Sequence, residues 1–69
     1  MLFHLSIAQY DSETERAYVE FRAPDSDGDE IIATTIFSFR SKSKLTKPQI
    51  RREIVRKARH ALKRAAAAT

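Results

Sequence analysis

Residues 45–65 read LTKPQIRREIVRKARHALKRA, and the way this stretch begins and repeats decides the fold. Thr46 followed three positions later by Gln49 has the spacing of a capping box, in which each side chain takes a backbone N–H of the other residue. Pro48 fits a first turn, whose N–H groups have no partner inside the helix. Leu45 before the cap and Ile50 four residues after it match a hydrophobic staple. From there Ile50, Ile54, Ala58, Ala61, Leu62 and Ala65 recur at three- and four-residue spacing, which makes an apolar stripe. The pattern predicts a helix over about 47–66 that lays one face on another layer.

That layer lies upstream. Phe3, Leu5 and Ile7 alternate with His4, Ser6 and Ala8, and Ala17, Val19 and Phe21 alternate with Tyr18, Glu20 and Arg22. Period two over such lengths reads as half-buried strands, over about 2–9 and 16–23. The polar run 11–15 between them makes a hairpin. The stretch 23–29 is dense in turn residues and holds the chain's one glycine, Gly28, where a positive φ is useful. A third strand over about 30–40 follows, rich in β-branched and aromatic residues. Both of its faces carry apolar side chains. Ile31, Ala33, Thr35, Phe37 and Phe39 are taken as the core side, which leaves Ile32 and Ile36 beside Tyr18 on the far side unless a bulge shifts the parity. The expected fold is α+β: a three-stranded antiparallel β-meander with one long C-terminal α-helix packed on one face (βββα), in a single domain spanning 1–69. A helix of about twenty residues is about 30 Å long, close to the length of a strand of nine to eleven residues.

Charge is divided sharply along the chain. Residues 1–39 hold two bases, Arg16 and Arg22, against eight acids, a net of −6. Residues 40–69 hold eleven bases against Glu53 alone, a net of +10. On a helical wheel Arg52, Arg56, Arg59 and Lys63 share one sector opposite the apolar stripe, with Lys57, His60 and Arg64 to one side. Lys42, Lys44 and Lys47 lead into the helix N-terminus, where free N–H groups and the helix dipole already favour an anion. A solvated helix face usually mixes signs, whereas this one offers a single acid. The expectation is therefore a nucleic-acid or anion-binding surface made of Lys42, Lys44, Lys47, Arg52, Arg56, Arg59 and Lys63, which would neutralise successive phosphates. An acidic protein partner is the second reading and a merely solvated face the third. A membrane is not expected, because the apolar side of the helix is mostly alanine rather than Trp, Phe or Leu.

The uncovered sheet face is the other candidate surface, with His4, Ser6, Tyr10, Tyr18, Glu20, Arg22, Ile32, Thr34 and Ile36 expected there. A homodimer burying Tyr18, Ile32 and Ile36 fits a domain this small, since a short chain buries only about 60% of its unfolded surface. The acids Asp25, Asp27, Asp29 and Glu30 do not form a standard calcium loop. Counting from Asp25, glycine falls fourth rather than sixth. No metal and no cofactor is expected. Catalysis is not expected either: the two histidines lie far apart in sequence, cysteine is absent, and neither Ser6 nor Ser38 has a base placed by motif. No run approaches the roughly 18 apolar residues of a membrane span, and the N-terminus lacks a basic leader, so a cytoplasmic protein is the expectation.

The order of three strands and a helix, with Lys42, Lys44 and Lys47 at the helix entry, resembles the C-terminal part of a double-stranded-RNA-binding domain. Small three-stranded DNA-binding domains are similarly arranged. The first group begins with a helix that this stretch does not contain and carries glycine and alanine signatures not reproduced here. The second uses a basic sheet where this one is acidic. No family is assigned on topology alone.

Overall fold

A computed structural model describes residues 3–41 and 44–68. Strands β1 (His4–Asp11), β2 (Arg16–Pro24) and β3 (Glu30–Ser38) form one antiparallel sheet in the order β1-β2-β3, followed by helix α1 (Lys47–Ala68). This is the expected βββα arrangement. The first strand runs two residues later than the reading of the sequence set it, the third ends two residues earlier, and the helix continues through its alanines to Ala68.

Burial is deepest in β2, the central strand. Ala17, Val19, Phe21 and Ala23 are all fully buried, and Ile54 and Ala58 of α1 close over them. Phe3, Leu5, Phe37, Phe39, Ile50 and Leu62 pack around that centre. In β3 the phenylalanine side faces the helix as expected, leaving Ile32 at 50% and Ile36 at 61% exposure on the outer side.

The first strand departs from its expected facing. Leu5 pairs with Phe21 but Ile7 pairs with Glu20, so Ser6 is an extra residue and the parity switches there. Ile7 moves to the outer face, while Ala8 and Tyr10 turn in against the core. The expectation that Tyr10 lies on the open face is therefore corrected. Its hydroxyl donates to the Phe39 carbonyl at 3.0 Å and its ring meets Phe39 edge-on, with centres 5.7 Å apart. Ile7 is likewise not the core residue that simple alternation suggests.

Both turns use local chemistry. The Asp11 carboxylate accepts the Glu13 N–H at 2.9 Å, and the chain recovers its direction at Glu15, whose φ is +56°. Arg40 holds that glutamate through two hydrogen bonds of 2.9 and 3.0 Å, and the Phe39 N–H donates to the Glu15 carbonyl. At the second turn Gly28 has φ +86°, a conformation that glycine adopts without a side-chain penalty.

Candidate functional site

The basic helix starts where the sequence places it. The Thr46 N–H donates to Gln49 Oε1 at 2.8 Å and the Gln49 N–H donates to Thr46 Oγ1 at 3.4 Å, so the capping box is formed. Lys44 and Lys47, on either side of this cap, are exposed and have no ion-pair or hydrogen-bond partner among the described residues. Lys42 lies outside the described residues. The first helical turn holds no acid, so nothing there offsets the positive end of the helix dipole.

Arg52, Arg56, Arg59 and Lys63 are all exposed on α1, but they are not equally free. Arg56 is bound to Glu53 one turn away, Nη2 to Oε2 at 2.8 Å. The Arg59 guanidinium lies over the Phe21 ring, 5.0 Å from its centre, so this side chain helps to close the core. On the opposite flank of the helix Lys57 does similar work: its ammonium stands 5.3 Å from the Phe37 ring centre and donates to the Ser38 carbonyl at 3.1 Å. Such cation–ring contacts at exposed sites contribute about 0.5–1 kcal/mol each. Arg52 and Lys63 have no partner among the described residues and are separated along the axis by about 16 Å.

Two further cations enter the picture. Arg51 falls within the arc of the apolar stripe, yet it is exposed. With Lys47 it lines a groove of about 450 Å³ between β1 and α1, whose other walls are Ala8, Tyr10, Ser12, Ile50 and Ile54. The signal in the sequence is an arginine inside an apolar arc, which marks where a helix runs past the edge of its sheet. Arg64, near the far end, is also exposed and unpaired among the described residues.

The outer sheet face is organised differently. Glu20 sits at its centre with only 7% of its surface exposed. Its carboxylate accepts from Arg22 Nε at 3.1 Å and from the Tyr18 hydroxyl at 3.2 Å, and Arg22 reaches on to Glu30 at 3.1 Å. The Arg22 guanidinium holds the Glu20 carboxyl below the usual carboxylate range, against the opposing pull of burial, with Tyr18 and Ser6 assisting. The Arg40 guanidinium does the same for Glu15. Tyr18, Ile32 and Ile36 thus share one face, with Tyr18 tied into this network and the two isoleucines exposed at the β3 border.

No group of three or more His, Cys, Asp or Glu among the described residues could hold a metal ion, and no described helix is long and apolar enough to cross a membrane. Comparison with family models, curated proteins and solved structures finds no match.

Proposed function

We propose that this chain is a small non-enzymatic binding protein whose basic helix and its entry segment hold the phosphate backbone of a nucleic acid. One observation carries the reading. Among the described residues Lys44, Lys47, Arg51, Arg52, Lys63 and Arg64 have no carboxylate partner: Glu15, Glu20 and Glu30 pair with arginines of the sheet and its border, Glu53 pairs with Arg56, and the other five acids lie at the two hairpin turns and pair with no cation of the helix. Cations left over along one element supply affinity without sequence preference, through release of condensed counterions.

The test is a binding series with duplex DNA, duplex RNA and single strands at several salt concentrations. If about four of these cations each meet a phosphate, log K falls against log salt with a slope of about −3 to −4 on duplex DNA. The doubly reversed variant Arg52→Glu, Lys63→Glu loses binding and the steep salt slope, and neither position touches the core. Absence of binding to all three nucleic acids at low salt overturns the reading. An acidic polypeptide run alongside tests the second reading, an acidic protein partner. Saturable binding of that polypeptide together with no binding of nucleic acid would favour it.

A further inference from the structure

The two edges of the sheet are unlike. The β1 edge is broken by the bulge at Ser6, where the register slips between Leu5 and Ile7. The β3 edge is regular for nine residues, EIIATTIFS, with no lysine, proline or bulge, the usual devices that blunt an exposed strand. Its backbone groups can be assigned a direction. The Phe39 N–H donates to the Glu15 carbonyl at 2.8 Å, and hydrogen-bonded pairs alternate along an antiparallel ladder. Odd-numbered residues of β3 therefore turn their N–H and C=O toward β2, and even-numbered ones turn them away. Ile32, Thr34 and Ile36 present these groups at the free edge with no backbone partner among the described residues. The outward carbonyl of Ser38 is taken by Lys57.

This edge is complementary to itself. We propose that β3 pairs antiparallel with β3 of a second copy about a two-fold axis at Thr34, joining two sheets into one of six strands. In that register Ile32 of each chain faces Ile36 of the other on the outer side, so the two exposed large apolar residues among those described cover each other. Thr34 faces Thr34. On the inner side Ile31 faces Phe37, a β-branched and aromatic pairing that stabilises antiparallel ladders, and the small Ala33 faces Thr35. No like charges meet.

The ends of the strand also match. The start of β3 and the segment before it carry Asp25, Asp27, Asp29 and Glu30. The other end gathers Arg16, whose Nη1 reaches Ser38 Oγ at 3.4 Å, Lys57 on the Ser38 carbonyl, and Arg40, which is paired with Glu15. Antiparallel pairing sets the acidic end of each copy beside the basic end of the other, which a parallel arrangement does not. An edge-joined pair also leaves the outer faces of both helices uncovered, and the inference stands independently of what those helices bind.

The test uses the full chain without nucleic acid. Sedimentation over a series from micromolar to millimolar protein is expected to show a monomer–dimer equilibrium. Amide hydrogen exchange at Ile32, Thr34 and Ile36 is expected to slow in step with the dimer fraction. Thr34→Lys places two ammonium groups opposite each other at the axis and raises the dissociation constant by roughly five- to tenfold. An equimolar mixture of T34K and T34E restores pairing as a heterodimer, because only this register brings position 34 against itself. A monomer throughout the series overturns the proposal. So does a dimer whose three amides exchange at the monomer rate, which would place the contact on the open face or the helix, and so does a T34K variant as tightly paired as the parent chain. Should T34K fail to fold by circular dichroism, the exchange measured on the unaltered chain decides alone.

Discussion

The protein has two outward surfaces, one on the sheet and one on the helix, and they treat charge in opposite ways. On the sheet, Glu20, Arg22, Glu30 and Tyr18 form one connected network, and Glu20 is nearly sealed from water although no layer covers that face. On the helix, Arg56 has its glutamate and Lys57 and Arg59 lie against rings, but Arg51, Arg52, Lys63 and Arg64 are left without partners among the described residues. Charges that are satisfied internally answer to the fold. Charges that are not are available to something outside it, and that difference separates these two faces more clearly than their net signs do.

Four variants sharpen or break this contrast. Ile54→Ala should have the largest effect, because Ile54 and Ala58 are the only buried helix residues among those described. Removing a buried side chain of that size costs roughly 2–5 kcal/mol, a large share of the roughly 5–15 kcal/mol of a typical domain. Urea unfolding followed by circular dichroism should show a markedly lower midpoint. Thr46→Ala comes next and should cost about 1 kcal/mol by removing half of the capping box, with loss of protection in the first helical turn by amide exchange.

The third concerns the sheet network. Glu20 has its carboxyl pKa lowered by Arg22, so the stability it contributes is fully present above the unfolded value, near 4.5, and is lost as pH falls through the lower folded value. Acid unfolding of the parent chain should steepen below that point. Glu20→Gln should remove part of this dependence, with Glu15 and its Arg40 partner supplying much of the remainder. Fourth and smallest, Arg52→Glu with Lys63→Glu should change stability by less than about 0.5 kcal/mol while altering whatever the helix binds. A large loss of stability there would show that the helix cations serve the fold after all, and the contrast would fail.

Much of the fold is legible in the sequence because each element carries its own signal. The Thr46–Gln49 spacing, the period-two alternation of β2 and Gly28 each state a local requirement that neighbouring residues meet on their own. The facing of β1 is not legible, since the inward Ala8 and the outward Ile7 are both apolar and simple alternation prefers the larger. What reverses them is the register against β2, a nonlocal fact. The candidate site shows the same division. Helical spacing finds Arg52, Arg56, Arg59 and Lys63 together, but whether a cation is spent depends on what lies across from it. Glu53 is near enough in sequence to anticipate its pair with Arg56, whereas Phe21 under Arg59 and the β1 wall beside Arg51 belong to distant parts of the chain.

Ser6 has a consequence for the number of chains that can join. Excising it would leave Leu5, Ala8 and Tyr10 facing inward and Ile7 and Gln9 outward, with an unbroken ladder against β2. The interior would hardly register the loss, but the β1 border would become as straight as that of β3. A unit with one usable border closes into a pair, and a unit with two grows into a ribbon without end. In the proposed pairing one exposed serine, outside the core, would act as a chain terminator for assembly.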